Sequence, residues 1–201
     1  LPTRQAQKLS VIHQSALRLL NLINQILEFR KTETQNKKLC VCKSNIAPLV
    51  HEIGLKYKEL NQKKAIDFQI QIEKEEMLLF FDKEIITIIL DNLISNAIKF
   101  TYTGGQVELS LADSGDYWTI YVKDNGKGIP KDLQTHLLKS DEYITTYGTH
   151  NEKGSGLGLI LCRDFIRMNK GKLHFCSQEG IGTTFYFTIP KASSSAKAAS
   201  R

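Results

Sequence analysis

The chain has 201 residues, enough for one sizeable domain with an appendage. Hydrophobic residues make up 41% and charged residues 24%, an ordinary globular balance, and no apolar run nears the roughly 20 residues that span a bilayer. The net charge is +6, concentrated in part at 30–43, but no aromatic-basic motif, zinc spacing or helix-turn-helix pattern accompanies it, which argues against direct nucleic-acid binding.

The polar start, LPTRQAQ, has no signal-peptide pattern. From 8 to 32 the apolar residues Leu9, Ile12, Ala16, Leu19, Leu20, Ile23, Ile26 and Leu27 recur at alternating threes and fours. This near-heptad predicts one long helix that wants a partner helix. Residues 33–38, polar and basic, read as a hinge. LCVCKS (39–44) predicts a strand with Cys40 and Cys42 on one side. Together with Cys162 and Cys176 these thiols read as small apolar side chains in a reducing compartment rather than as a metal or redox set.

Asn45 predicts a cap for a helix running to about Gln62. AIDFQIQI (65–72) alternates as a strand, and MLLFF (77–81) is a short one. Asp82 predicts the cap of a helix ending near Thr101. Gly104-Gly105 turn the chain, and QVELSLAD and WTIYVKD form a hairpin through SGD. IPKDLQTHLL starts a short helix, and a polar loop covers about 139–153. SGLGLILCRDFIRMN predicts a helix closed by Lys170-Gly171. KLHFCSQ and TTFYFTIP form a last hairpin around EGIG, and 191–201 is a low-complexity tail expected to be disordered. The last four strands come as two hairpins, so the pattern predicts an α+β fold. It is a two-layer α/β sandwich with a mixed, mostly antiparallel sheet.

Three features of this pattern carry chemistry. The helix stretch LDNLISNAIKF sets Asn92 and Asn96 one turn apart, on a face shared with Lys99. Two amides among apolar residues are costly unless they have partners. Asp124-Asn125-Gly126-Lys127-Gly128 ends a strand: a carboxylate there, with glycines clearing the space beside it, can accept a hydrogen bond from an exocyclic amine such as adenine N6. Gly154-Ser155-Gly156-Leu157-Gly158-Leu159 opens a helix, where glycines let the backbone approach an anion and free N–H groups point at it. Each feature alone has a plain alternative: a capped or water-bridged amide pair, a simple turn, a close-packed helix start. Neither a Walker A nor a Rossmann fingerprint fits the last.

In combination and in this order, N-x-x-x-N-A-x-K, D-x-G-x-G and G-x-G-L-G-L resemble the nucleotide-binding domain of sensor histidine kinases. The resemblance covers about 39–190 and extends to the ending GIGTTFYFTIP. The wider group includes gyrase-type, chaperone and mismatch-repair ATPases. It implies a Bergerat-type sandwich over 39–190, preceded by one long helix, with ATP held between the helical layer and a lid. It implies that Asn96 ligates Mg²⁺, that Asn92 faces the γ-phosphate side, and that Lys99 reaches a phosphate as a point charge. Asn92 and Lys99 are thus the catalytic candidates. Asp124, Gly126, Gly128, Gly154, Gly156, Leu157, Gly158 and Thr183 complete the nucleotide-binding set.

Hydrolytic relatives carry a glutamate where Asn92 stands. An amide takes no proton, so the expectation is transfer of the γ-phosphoryl to a histidine rather than to water. None of His13, His51, His136, His150 and His174 stands in the acceptor context of the family. IHQSALRLLNLINQILEFRKTE resembles instead the second helix of the dimerisation hairpin, so 1–32 is expected to be half of a truncated hairpin and the fragment unable to phosphorylate itself. The family further implies a homodimeric parent, of the hybrid-sensor kind, anchored in the inner membrane with this part cytoplasmic. It implies the acceptor hairpin and a response-regulator receiver domain as partners. The other readings are a degenerate nucleotide-sensing or partner-binding module and, against the amide at Asn92, a gyrase-type hydrolase. In the lid stretch, Leu137 and Leu138 stand where many members have phenylalanines, and Tyr143 and Tyr147 pack on the nucleotide or on the lid itself.

Overall fold

The computed structural model describes residues 40–60, 64–138, 146–150, 152 and 156–191. The long helix expected at 8–32, the hinge at 33–38, His13, Tyr143, Gly154 and the tail from 192 lie outside the described residues. In chain order the elements are β1 (Cys42–Asn45), α1 (Ile46–Leu60), β2 (Asp67–Ile72), β3 (Leu78–Phe81), α2 (Lys83–Phe100), β4 (Gln106–Ser114) and β5 (Tyr117–Asp124). The short α3 (Lys131–Gln134), α4 (Gly158–Met168), β6 (Leu173–Gln178) and β7 (Gly182–Pro190) follow.

Period-two alternation decides which face of the sheet is covered. Val107, Leu109 and Leu111 of β4, Trp118, Ile120 and Val122 of β5, and Phe185, Phe187 and Ile189 of β7 are all buried. Between them Tyr121, Tyr186 and His174 stack on the opposite, more open face. The five strands run in the order β2-β4-β5-β7-β6. Only β2 and β4 are parallel, and the other pairings are antiparallel. A separate antiparallel pair joins β1 to β3. This is the mixed, mostly antiparallel sandwich that the two hairpins predict.

Helix α2 is the centre of the helical layer. Asp82 caps it, its Oδ1 accepting from the backbone N–H groups of Glu84 (3.0 Å) and Ile85 (3.3 Å). Its second oxygen accepts from Cys40 N–H, so one carboxylate ties the helix start to the chain before β1. Ile85, Ile86, Ile89, Leu90, Leu93, Ile94 and Ala97 form the buried stripe at helical spacing. Packing that stripe against the sheet leaves Asn92, Asn96 and Lys99 on the flank, toward the carboxyl end of β5.

Several boundaries differ from the sequence reading. Only Cys42 of the Cys40/Cys42 pair enters a strand. Asn45 does cap α1, accepting from Ala47 N–H at 3.2 Å, but it ends β1 and also accepts from Met77 N–H at 2.9 Å. Helix α4 begins at Gly158, so Gly156 lies before the helix rather than in it. Its left-handed closing residue is Lys170 (φ 57°). Gly171 serves a different need: a Cβ there would lie 1.9 Å from the Thr188 carbonyl, so only a glycine fits against β7. Lys191, taken above as the first tail residue, donates its backbone N–H to Asp116 and sets its ammonium 4.1 Å above the Trp118 ring. It therefore packs against the sheet edge directly after β7.

Candidate functional site

A cavity of about 190 Å³ opens between α2, the end of β5, α3 and the start of α4. Asn92, Asn96, Lys99, Asp124, Gly128, Gly156, Gly158 and Thr183, all singled out from the sequence, line it. Gly126 and Leu157 do not. Gly126 instead turns the chain tightly under the end of α2, where a Cβ would lie 2.2 Å from the Phe100 carbonyl. Leu157 stands at the N-terminal boundary of α4, and its carbonyl accepts from Leu161 N–H.

One end of the cavity is built on strands. β5 and β7 pair so that Asp124 lies opposite Thr183. Oδ1 of Asp124 accepts from Gly126 N–H at 2.9 Å and from Thr183 N–H at 3.3 Å. Among the described residues no hydrogen bond reaches Oδ2, which leaves that oxygen for a donor in the cavity. Burial pushes the carboxyl up from 3.8 to about 6, with the two backbone N–H groups acting in the opposite direction. Ser177 buttresses this end: its Oγ accepts from Ile129 N–H at 2.9 Å and lies 2.9 Å from Thr183 Oγ1. Gln134 donates to the Ile129 and Ser177 carbonyls, seating α3 over the same corner. Gly128 adopts φ 66°, and a Cβ there would lie 2.1 Å from the Gln178 carbonyl, so this turn excludes every other residue. Ile129, Pro130, Leu133, Leu137, Leu159 and Phe185 supply an apolar wall suited to a flat ring.

The other end is built on α2 and the loops beside it. Asn92 has the partner that such an amide needs. Its Nδ2 donates to the Ile88 carbonyl at 2.9 Å, one turn back. Its Oδ1 lies where a Cβ on Gly158 would come within 2.5 Å, so the start of α4 closes directly on this amide. Asn96 makes no side-chain hydrogen bond among the described residues, and its carbonyl remains available to the cavity. Lys99 Nζ donates to the Thr146 carbonyl at 3.2 Å and lies 4.6 Å from the Phe100 ring centre.

Sequence reasoning missed Lys127, which also lines the cavity. It donates to the Tyr147 carbonyl at 2.7 Å and lies 5.1 Å from the Phe100 ring on its own account. As the variable position between two glycines it attracts no notice in one dimension. Leu137 lines the cavity and Leu138 does not. Tyr147 is 58% exposed and does not line the cavity.

Known proteins match this arrangement. A family profile described as histidine kinase-, DNA gyrase B-, and HSP90-like ATPase covers residues 81–193. The chain is similar to the alginate biosynthesis sensor protein KinB of Pseudomonas aeruginosa, 30% identical over 188 residues, which are 94% of this chain and 31% of KinB. It is similar to the sensor protein EvgS of Escherichia coli K12, 31% identical over 93% of this chain and 16% of EvgS. The chain thus spans less than a third of the length of either relative. Among solved structures, the catalytic domain of histidine kinase ThkA is 29% identical with a TM-score of 0.65, covering 75% of this chain and 97% of that one. ThkA in complex with the response regulator protein TrrA is 26% identical with a TM-score of 0.74, covering 95% of this chain and 52% of that one. Motif order, sandwich topology and these matches agree: the chain belongs to the histidine kinase-, DNA gyrase B- and HSP90-like ATPase family, as an ATP-binding catalytic domain of the two-component sensor histidine kinase kind.

Proposed function

We propose that this domain transfers the γ-phosphoryl of Mg-ATP to a histidine on a helical hairpin of its parent protein, a dimeric sensor kinase that passes the phosphoryl on to a response-regulator receiver. The observation that carries the reading is that one cavity joins the carboxylate of Asp124 to the amides of Asn92 and Asn96. Oδ2 of Asp124 is the acceptor for the adenine amine, and the apolar wall beside it takes the ring. The phosphates then extend toward α2, where Lys99 offers a charge and Gly156 and Gly158 offer backbone at close range.

The donor set fits a magnesium ion. Asn96 offers one hard amide oxygen with no competing hydrogen bond, and among the described residues no three His, Cys, Asp or Glu side chains converge on a cage. A single protein oxygen suits an ion whose remaining positions are filled by phosphate and water. When bound, the metal supplies charge neutralisation at the phosphates. The side chains supply position. Asn92 has no proton-accepting atom, so no residue at that place activates water, and the γ-phosphoryl waits for an outside acceptor. Lys99 gives up or shares its bond to the Thr146 carbonyl as it turns to the triphosphate.

No helix among the described residues is long and apolar enough to cross a membrane. We place the domain on the cytoplasmic side, where ATP is available, of a parent anchored in the inner membrane. The response regulator in the ThkA complex supports a receiver domain as the downstream partner. The test combines this chain with the full acceptor hairpin in trans and labelled ATP. Label on the hairpin histidine is the expected result, with none on this chain alone. ATP binding without transfer to any hairpin would make the domain a nucleotide sensor instead.

A further inference from the structure

Lys64 lies in the turn before β2, outside the cavity, and belongs to none of the motifs. It is nevertheless 7% exposed. A buried ammonium is costly unless it is fully paired, and this one is. It donates to the Ile98 carbonyl at 3.1 Å, the Lys99 carbonyl at 3.0 Å and Thr149 Oγ1 at 2.9 Å. It also pairs with Glu152 Oε1 at 2.8 Å. The two carbonyls belong to the last turn of α2, where the helix dipole favours a cation.

The partners on the other side belong to the chain that leads toward Gly156. Thr149 donates its N–H to the Lys99 carbonyl (3.1 Å), and its hydroxyl lies 2.8 Å from the Thr101 carbonyl and 3.2 Å from that of Lys99. The second oxygen of Glu152 accepts from His150 N–H, and the Glu152 carbonyl accepts from Gly148 N–H. Gly148 passes so close that a Cβ there would lie 2.6 Å from Lys99 Cγ. Thr146, just before it, holds the Lys99 ammonium. One buried charge thus joins the chain entering the glycine loop to the helix turn that bears Lys99, next to Asn96.

We propose that Lys64 is a positioning residue for the phosphate end of the site. With Glu152 it fixes the chain before the glycine loop against α2, and so sets the spacing between Lys99 and the backbone of Gly156 and Gly158. It touches neither the base corner at Asp124 nor the apolar wall. Its loss therefore falls on phosphate contacts and spares the contacts to adenine. The inference rests on the nucleotide reading above and goes beyond it.

The test is calorimetric titration of the whole chain with ATP and ADP, each with Mg²⁺, and with adenosine. Lys64→Met and Glu152→Gln should each weaken ATP and ADP roughly tenfold and leave adenosine within about twofold. The double variant should be no worse than the more affected single one, because both remove the same clasp. Lys64→Arg, which keeps the charge and its donors, should recover most of the loss. Should Lys64→Met not fold, Glu152→Gln carries the test, since Lys64 keeps its carbonyl partners there. Equal losses for adenosine and ATP, or no loss at all, would overturn the clasp while leaving the nucleotide reading intact. An unaltered chain that binds none of the three would overturn that reading, and this one with it.

Discussion

The two ends of the cavity are built in different ways. At the base end, Asp124 and Thr183 face each other across an antiparallel pair, and the ladder on either side holds them. At the phosphate end, Asn92, Asn96 and Lys99 project from a helix flank and face chain held by scattered bonds rather than a ladder: side-chain bonds of Lys99, Lys127 and Lys64, and the Thr149 N–H on the Lys99 carbonyl. A ladder cannot yield at one residue without breaking neighbouring bonds. The Lys99 bond to the Thr146 carbonyl can be exchanged for one to a phosphate oxygen without disturbing the others. The base end is therefore suited to selecting a purine, and the phosphate end to adjusting around a group that leaves.

The largest break in this comparison is Asp124→Ala. It removes a partly desolvated acceptor, and nucleotide affinity should fall about a hundredfold. The preference for ATP over GTP should fall with it, while the advantage of ATP over adenosine persists. Titration with the three ligands checks this; an unchanged purine preference would remove Asp124 from base recognition. Asn96→Ala should break the other end alone. Mg-ATP should weaken about tenfold, and metal-free ATP and adenosine hardly at all. Equal losses with and without Mg²⁺ would refute a metal contact at this amide.

That division is partly legible in the sequence alone. The motifs, and the family resemblance they carry, point to Asp124, Asn96 and Lys99, because helical spacing and strand ends place such motifs one residue at a time. Asp82 could be placed as a cap because a carboxylate before an apolar helical stripe has one common use. What could not be read was pairing at long range. Ser177, Gln134 and Lys64 look like ordinary surface polar residues until β6, α3 and the turn before β2 are brought to the site. Lys170 shows the same limit on a local scale. The sequence pair Lys-Gly suggests a glycine closing the helix, yet the lysine takes the left-handed position because Gly171 must pass within contact of Thr188.

The carboxyl of Asp124 gives the comparison a pH dependence. Its folded value of about 6 lies above the ordinary 3.8, with burial as the main cause. The empty domain therefore binds a proton more readily than the unfolded chain does. The contribution of this carboxyl to stability, read against Asp124→Asn, should rise as pH falls from 6 toward 4, by up to about 3 kcal/mol. Ligand binding needs the ionised form, so it runs the other way. Between pH 7 and pH 5 adenosine affinity should fall about tenfold, and Asp124→Asn should abolish that slope. Thermal melts of the empty domain, taken relative to Asp124→Asn, and adenosine titrations across this range should move in opposite directions. A common direction would show that Asp124 is not the group titrating.

Lys127 offers the smallest and sharpest test, because it stands in the base-end motif yet bonds to the phosphate-end loop. Its backbone is fixed between Phe100 and Gly180, its N–H donating to the Phe100 carbonyl and its carbonyl accepting from Gly180 N–H. Its ammonium shares the Phe100 ring with Lys99 and donates to the Tyr147 carbonyl. If the two ends act separately, Lys127→Ala should leave adenosine unaffected and weaken ATP only about threefold, since the bond it loses is exposed and Lys99 still holds the loop one residue away. Lys99→Ala should then cost ATP more than Lys127→Ala does, because Lys99 loses a phosphate contact as well as a loop contact. Equal costs would mean that Lys127 itself reaches the triphosphate. The boundary between the two ends would then run through the Asp124 turn instead of between that turn and the helix.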